Sequence, residues 1–524
     1  MKTILFGLDG ASYDLINQFA AKSDMPNFKR IIENGHFRRL ESTTPPHTAP
    51  GWTTAFTGVG PGNHGIYQCW DTQAQTYVGN FMGRDDYGVL PVWDILNKVQ
   101  LKTSMINIPM TYPPREVNGL IITWPLSNTL RYAYPNDILF EIARYGGHFA
   151  SDINSMYDGD LNYIDKAIDI TSKRLKTLEY VIQNCEWDFL ASVFTEIDRI
   201  SHFYWHFMDK TSCEYIKTDN KKFRDAVEKI YIETDRILGK ILEMLPDDGL
   251  LFILSDHGFE KGEINFYVQS FLIENSLLTI TKTKDNQSNV GNQRNETSDI
   301  ISNSWFECFC NEEKYTVDWS KTVAYMSAPG SYGINVNLKG RQEFGIIEND
   351  YYDEIRDMLI NLLSKVTHPH NGSKLFKKVA RREEVYTGEN LHKAPDLILI
   401  PENYSVMVHH KIIPGVLFGS PEHKGMHNKN GIIGVYGKAV NGKKLPFEIK
   451  LEDITPTILS YFGVEIPNYM DGKPFIEFAV NSIKKVQIEV CDSGNGSTKT
   501  NTSNIYTEKE RIEVEQRLKS MGYL

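Results

Sequence analysis

Short apolar runs alternate along the chain with longer segments whose apolar residues recur at helical spacing. The runs are rich in Ile, Leu, Val and Phe: TILFGLDG from Thr3, DFLASVFTEID from Asp188, LLFILSDHGF from Leu250, PDLILI from Pro395 and GIIGVYG from Gly431. Continuous runs of this length are typical of strands covered on both faces, as in a parallel sheet. Helical spacing extends over 13–34, 163–183, 223–244, 351–366 and 507–521. The alternation predicts an α/β fold with a mainly parallel central sheet flanked by helices.

Charge and cysteine content restrict the partners and the compartment. The formal net charge of -11 argues against binding a nucleic-acid polymer or an anionic membrane surface, because both need basic patches. The first apolar run is interrupted by Asp9, and no apolar stretch approaches the length of a membrane span. The six cysteines are scattered and match no zinc template. We therefore expect a cytoplasmic protein with free thiols, in which metal ions or local arginines hold any anionic substrate.

Three of the predicted strands deliver Asp or His residues directly past their carboxyl ends. Asp9 follows the first strand, Asp198 and His202 follow DFLASVFTE, and Asp256 and His257 follow LLFILS. Each residue alone is typical of a turn, a cap or a surface pair. In open α/β sheets, however, ligands bind at the carboxyl ends of the strands. The repetition of these residue types at three such ends indicates a functional site.

Asp and His together favour a site for divalent metal ions. They are the side chains that suit zinc and related metals. The two Asp and His sets supply about as many ligands as two ions about 4 Å apart require, and such a pair suits in-line phosphoryl displacement. The sequence therefore predicts a two-metal site for phosphate chemistry.

Thr48 lies in the segment TPPHTAPGWTTAFTGVGPGNHGI, which starts at Thr44. Thr is a common helix N-cap and Pro a common first-turn residue, so the local pattern is compatible with a purely structural role. A threonine hydroxyl whose pKa is lowered by a metal is also a competent nucleophile, and the amides of a helix start help to bind phosphate. The segment by itself leaves both interpretations open.

Several motifs in this order resemble the alkaline phosphatase superfamily. They are the DG after the first strand, STTPPHTAPGWTTAFTGVGPGNHGI, D-x-x-x-H, SDHG, GMH and the closing EDITPTILSYFGVEIPNYMDGKPF. Within the superfamily the chain is most similar to the type I phosphodiesterase/nucleotide pyrophosphatase branch. NIPMTYPP, VDWSKTVAYM and INVNLKGRQEFGII are similar to its bacterial and archaeal group of predicted phosphohydrolases or phosphomutases. The resemblance implies an alkaline-phosphatase-like core with an inserted cap.

The resemblance also implies a role for each matching position. Thr48 falls on the nucleophile, which itself binds metal. The ligands of the metal that activates it correspond to Asp9, Asp256 and His257. The ligands of the second metal correspond to Asp198, His202 and His427. Two divalent ions are implied, zinc in the first instance and manganese as the alternative.

The chain departs from the nucleotide pyrophosphatases a few residues after HGI. An Asn that helps to hold the phosphoryl oxygens in those enzymes has no counterpart in HGIYQCWD. Arg199, beside Asp198, and Arg341, in NLKGRQ, are our candidates for binding the substrate instead. Because the Asn is missing, the class of substrate does not carry over from those enzymes.

The expected function is two-metal hydrolysis of a phosphodiester or pyrophosphate, of small-molecule or nucleotide type, through a phospho-threonine intermediate. A phosphotransferase or phosphomutase that uses the same intermediate is the alternative, and a non-catalytic member of the family is a third. We expect a catalytic core over 1–260 and 394–480. The cap should span 261–393, with a polar loop at 282–303, and a linker and helix should follow over 481–524.

Overall fold

The computed structural model describes residues 1–22, 24–124, 132–145, 161–283, 304–310, 313–421, 423–478 and 482–486, together with 513, 514 and 516. The described residues of Met1–Ile66, Gly83–Lys261 and His423–Gly522 form one compact unit, and those of Tyr67–Met82 and Gly262–Glu422 form another. Most of the predicted polar loop, the linker and the C-terminal helix lie outside the described residues.

An eight-stranded sheet forms the centre of the first unit. Its strands, numbered along the chain, are β1 (Thr3–Leu8), β2 (His36–Glu41), β3 (Thr103–Ile108), β4 (Gly119–Thr123), β5 (Ala133–Tyr134), β6 (Phe189–Phe194), β7 (Leu250–Ser255) and β20 (Asn430–Tyr436). Their order is β2-β20-β7-β1-β6-β3-β4-β5. The five strands from β7 to β4 are parallel, and β2, β20 and β5 pair antiparallel. A smaller ladder joins β8 (Gly258–Lys261) to β19 (Gly425–Asn428).

Helices surround this sheet. They are α1 (Tyr13–Ala21), α2 (Pro26–Asn34), α3 (Thr48–Thr57), α4 (Pro61–His64), α5 (Val92–Lys98), α6 (Ile138–Arg144), α7 (Leu161–Asn184), α8 (Glu196–Met208), α9 (Cys213–Lys217), α10 (Lys221–Arg224), α11 (Ala226–Met244) and, after the second unit, α14 (Ile454–Tyr461). Among the described helices, none combines the length and the apolar character needed to cross a membrane.

Alternate residues of the central strands enter two separate hydrophobic cores. In β1, Ile4, Phe6 and Leu8 belong to one core and Leu5 to the other. In β7 the same alternation places Leu251 and Ile253 in the first core. Every residue of these two strands is buried, so the continuous apolar runs do reflect strands that are covered on both faces. The predicted fold class, a mainly parallel sheet flanked by helices, is confirmed.

Two local predictions need correction. The helical spacing over 13–34 does not form one helix, because the proline ring at Pro26 excludes the preceding turn and starts α2 afresh. The run GIIGVYG does form a strand, β20, but it pairs antiparallel with both β2 and β7. A continuous apolar run indicates burial on both faces, which an antiparallel strand inside a covered sheet also has.

The second unit contains several small sheets. Its strands are β9 (Ile264–Tyr267), β10 (Ile280–Lys282), β11 (Glu307–Cys310), β12 (Glu313–Val317), β13 (Ala324–Met326), β14 (Gly333–Val336), β15 (Phe376–Arg381), β16 (Leu397–Pro401), β17 (Val406–His409) and β18 (Phe418–Gly419). Its helices are α12 (Val268–Glu274) and α13 (Tyr352–Leu363). The run PDLILI forms β16, which pairs antiparallel with β14 and β15. The segments 67–82 and 394–422 therefore belong to this unit, whereas the sequence predicts both of them in the core.

The second unit contains a buried carboxylate, Asp396, that accepts hydrogen bonds from three other residues. Asp396 is fully buried and accepts hydrogen bonds from Arg341 Nη1 (2.7 Å) and Nη2 (2.6 Å), from Tyr352 Oη (2.6 Å) and from the Val336 N–H (2.8 Å). Asp396→Leu removes one partner of this ion pair. We expect it to lower the free energy of unfolding by about 2–4 kcal/mol, somewhat less than for a fully buried pair, because the Arg341 side chain is 22% exposed.

Urea denaturation monitored by fluorescence would measure this loss. The control is the double variant Arg341→Leu/Asp396→Leu, which removes both members of this pair and should unfold at a higher urea concentration than Asp396→Leu. Arg382, whose Nη1 lies 3.4 Å from Asp396 Oδ1, keeps its hydrogen bonds to His392 O and Ala394 O in both variants. Equal stability of the wild type and Asp396→Leu would contradict the prediction.

Candidate active site

The structure brings Thr48 together with three of the predicted ligands at the carboxyl edge of the sheet. Asp9 follows β1, where its N–H donates to Phe194 O of β6 (2.9 Å). Thr48 Oγ1 lies 3.4 Å from Asp9 Oδ1 and 3.4 Å from His257 Nε2. His257 Nε2 is 3.4 Å from Asp9 Oδ1 and 3.3 Å from Asp256 Oδ2. We call Asp9, Thr48, Asp256 and His257 the first cluster.

Asp198, His202 and His427 form the second cluster. Asp198 and His202 lie one turn apart on α8, and His427 is on β19. His427 Nε2 is 3.0 Å from both Asp198 Oδ1 and His202 Nε2, and His202 Nε2 is 3.4 Å from Asp198 Oδ1. The rings of His257 and His427 stack with centroids 3.7 Å apart. The two clusters are therefore adjacent.

All three histidines turn Nδ1 toward a backbone carbonyl. His202 Nδ1 lies 3.0 Å from Gly425 O, His257 Nδ1 3.2 Å from Gly258 O and His427 Nδ1 3.3 Å from Pro46 O. A carbonyl oxygen only accepts, so in each neutral ring Nδ1 carries the proton and Nε2 carries the lone pair. This arrangement orients a histidine for binding metal through Nε2.

The electrostatics of the two clusters also fit metal ions. Burial, reinforced by the charge of Asp198, raises the pKa of Asp9 to about 7. Burial and the charges of Asp9 and Asp198 raise the pKa of Asp256 well above its usual value. Burial lowers the pKa of His257 to about 4 and that of His427 to about 3. The buried Oδ2 atoms of Asp9 and Asp256 accept no hydrogen bond from the described residues. Divalent cations would supply the positive charge and the partners that these groups lack.

Arg199 places a permanent cation beside the second cluster. Its Nη1 lies 2.5 Å from Asp198 Oδ2, and both side chains are buried. Burial acts to raise the pKa of Asp198, but His202 and the Arg199 guanidinium outweigh it and hold that pKa well below the usual range. Among the described residues, Arg199 is thus the one guanidinium beside three buried aspartates, Asp9, Asp198 and Asp256.

Arg341, the other arginine predicted to bind substrate, belongs to the second unit. There its guanidinium donates to Asp396 and to Val336 O.

Helix α3 begins at Thr48, but its cap is His47. His47 Nδ1 accepts from the Ala49 N–H (3.3 Å), and His47 O accepts from the Gly51 N–H (2.9 Å). Pro50 has no N–H, so neither it nor Ala49 offers an amide to a phosphate in this arrangement. This limits the contribution that we expected from the helix amides. Our sequence interpretation missed His47, although its position directly before Thr48 was an available signal.

Gly51 allows α3 to approach the first cluster closely. A Cβ atom at this position would lie 3.0 Å from Asp256 Cβ and 3.2 Å from Asp256 Oδ2. Helix propensity alone would make Gly51→Ala stabilising by about 1 kcal/mol. Because the added methyl group displaces Asp256, we expect metal affinity and activity to fall by about 10- to 100-fold, as for other partners of ligands.

Metal titration and kinetics of Gly51→Ala would test this expectation. Gly60→Ala is the matched control, because its Cβ would meet only Asp471 Oδ2 at 3.8 Å, an ordinary contact. Wild-type metal affinity in Gly51→Ala would show that Asp256 does not depend on this approach.

The chain is similar to known proteins both in sequence family and in fold. The phosphonoacetate hydrolase of Sinorhizobium meliloti 1021 is similar, with a TM-score of 0.51 and 12% identity over 87% of this chain and 94% of that one. The alkaline phosphatase PafA gives a TM-score of 0.53 and 14% identity over 91% and 98%. A search of curated proteins finds no match. The model of the family "Type I phosphodiesterase / nucleotide pyrophosphatase" matches residues 3–430. The chain therefore belongs to the type I phosphodiesterase/nucleotide pyrophosphatase family, on a fold shared with alkaline phosphatase.

Proposed function

We propose that this protein hydrolyses phosphodiesters or pyrophosphates of small-molecule or nucleotide type, with Thr48 as the nucleophile. One observation carries the proposal. The Thr48 hydroxyl lies 3.4 Å from both a carboxylate and an imidazole of the first cluster, and the second cluster lies directly beside it. Family membership supports the reaction class, and the fit of the two clusters to divalent cations supports metal dependence.

Two ions would be held by separate sets of side chains. Asp9, Thr48, Asp256 and His257 would hold one ion, and Asp198, His202 and His427 would hold the other. When bound, such ions lower the pKa of a coordinated hydroxyl and stabilise the charge on phosphoryl oxygens. Zinc matches the Asp and His donors best, and manganese is the second choice.

The reaction divides into two displacements at phosphorus. In the first, Thr48 Oγ1 loses its proton and forms a bond to phosphorus, the bond to the leaving oxygen breaks, and the leaving group takes up a proton. In the second, water attacks the phospho-threonine, the Oγ1–P bond breaks, and the Thr48 hydroxyl is restored. Atoms and charge balance as the addition of one water to the ester.

Arg199 is proposed to steady the phosphoryl oxygens in both displacements. A guanidinium stays charged at every pH at which the enzyme works, and its planar fork suits a phosphate. The pairing with Asp198 holds it beside the reacting group. Arg199 would thereby take the role of the Asn that the chain lacks after HGI. Gln68, two residues after HGI, does not take this role, because its side-chain amide donates to Pro329 O within the second unit.

A substrate screen would test the proposal. Phosphomonoesters, phosphodiesters and nucleotide pyrophosphates are offered to protein loaded with zinc or with manganese, in water enriched in oxygen-18. We expect cleavage of a diester or pyrophosphate with the label in the released phosphate group. Label absent from the product in the presence of an acceptor alcohol would indicate transfer instead. Protein that contains two ions per chain and turns over no ester would overturn the proposal.

A further inference from the structure

A cavity of about 710 Å³ opens in the first unit, at the edge of the sheet opposite the two clusters. Gly249, which lines it, precedes β7, whereas Asp256 follows the other end of that strand. At about 3.3 Å per residue, β7 separates the cavity from the candidate active site by about 20 Å. The volume is within the range of about 300–1,000 Å³ that is usual for small-molecule sites.

Two cations of the cavity have no acidic partner among the described residues. Arg30, on α2, donates from Nε (3.2 Å) and Nη2 (2.7 Å) to Tyr436 Oη and forms no ion pair. Lys438 lines the cavity and likewise has no ion pair or side-chain hydrogen bond with a described residue. Asp247 is the one carboxylate among the lining residues. Among the lining side chains, the positive charges therefore outnumber the negative by one, in a chain whose net charge is -11.

The other lining groups define the rest of a ligand. Leu242, Leu245 and Pro246 form an apolar wall, and Asn34 and Asn441 also line the cavity. Asn34 Nδ2 donates to Arg30 O (3.3 Å), so its Oδ1 is the atom that remains for a ligand. An apolar surface beside amides suits a nucleobase, which has flat faces and a hydrogen-bonding edge. Asp247 adds an acceptor of the kind that binds ribose hydroxyl groups.

The ends of two helices limit the charge that the cavity can hold. Helices α2 and α11 both finish here, at Asn34 and Met244, and the carboxyl end of a helix carries partial negative charge. The negative charge of Asp247 and of the two helix ends offsets part of the positive charge of Arg30 and Lys438. The cavity therefore suits the charge of a single phosphate better than that of a di- or triphosphate.

From this combination we infer that the cavity is an accessory binding site for a nucleoside monophosphate, separate from the catalytic clusters. Arg30 and Lys438 bind the phosphate, and the apolar wall and the two Asn side chains bind the base. The site is independent of the reaction proposed for Thr48, because it uses none of the residues of the two clusters or Arg199.

Photoaffinity labelling of the full-length protein with 8-azido-AMP would locate the site directly. After irradiation, peptide mapping should find the label in 242–249 or 436–441. Equilibrium dialysis with AMP should give a Kd at least tenfold higher for Arg30→Ala/Lys438→Ala than for the wild type. The matched control Lys29→Ala/Lys444→Ala removes two charges from exposed residues outside the cavity and should keep the wild-type Kd. Ester hydrolysis should be unchanged in both double variants.

The possible outcomes separate this inference from the proposed function. Label confined to peptides of the two clusters, or equal Kd values for the wild type and Arg30→Ala/Lys438→Ala, would overturn it. Protection from labelling by adenosine as strong as by AMP would exclude phosphate recognition, and equal protection by inorganic phosphate would exclude recognition of the base. None of these results depends on whether Thr48 is a nucleophile.

Discussion

Thr48→Ala is expected to lower kcat by at least about 1,000-fold, as is usual when a nucleophile is removed. The substitution deletes the hydroxyl that lies 3.4 Å from Asp9 Oδ1 and His257 Nε2, and no second hydroxyl of the described residues makes these contacts. Metal content should stay close to the wild-type value, because three ligands of the first cluster remain. Steady-state kinetics and metal analysis on the same preparation check both expectations.

Two further variants sharpen the test of Thr48. Thr48→Ser keeps a hydroxyl at the position and should retain a measurable part of the activity. Thr57→Ala removes a buried hydroxyl from the same helix and should leave kcat nearly unchanged, because among the described residues this hydroxyl bonds only to Thr53 O. If Thr48→Ala turns over any good substrate at the wild-type rate, another group is the nucleophile.

Removal of metal ions is expected to abolish activity and to destabilise the first unit. Without cations, the buried carboxylates of Asp9, Asp198 and Asp256 have one guanidinium beside them among the described residues, that of Arg199, and such an arrangement is costly in free energy. A ligand at 100 times its Kd stabilises the folded state by about 2.7 kcal/mol, so zinc should raise Tm by several degrees. Activity assays and thermal unfolding after dialysis against a chelator, followed by addition of zinc or manganese, measure both effects.

Thr48→Ala provides the control for the stability effect. It should show nearly the same rise of Tm with zinc as the wild type, although it is inactive, because ion binding and chemistry are separate properties of the site. Asp256→Asn, by contrast, should lose the effect of one ion. A protein freed of metal that keeps full activity would rule out metal dependence.

Strand ends were the most informative part of the sequence. Asp9, Asp256 and the pair Asp198 and His202 were predicted to meet because parallel strands present their carboxyl ends at one edge, and the structure brings them together there. Periodicity alone did not find His427. It lies in a short strand far along the chain, and the resemblance to a known family supplied it.

Other features depended on tertiary contacts that no local pattern encodes. Arg341 resembles any other arginine in sequence, and its bonds to Asp396 follow from the pairing of distant strands. The capping role of His47 depends on the backbone angles at one residue. The strand PDLILI was recognised as a strand, but the choice of its partners, β14 and β15, is made by the fold of the second unit.

The pairing of β8 with β19 has an evolutionary consequence. Lys261 lies opposite Gly425, so the chain leaves the first unit and returns to it at neighbouring points. Doubling the length of a flexible connection costs only about 0.6 kcal/mol in closure entropy. Loops of the intervening segment can therefore be lengthened or shortened while His427 keeps its register against Phe259. Insertions and deletions in exposed loops between 262 and 422 should therefore leave the two clusters intact, whereas exchange of the whole second unit would also have to replace Tyr67–Met82, which belongs to it.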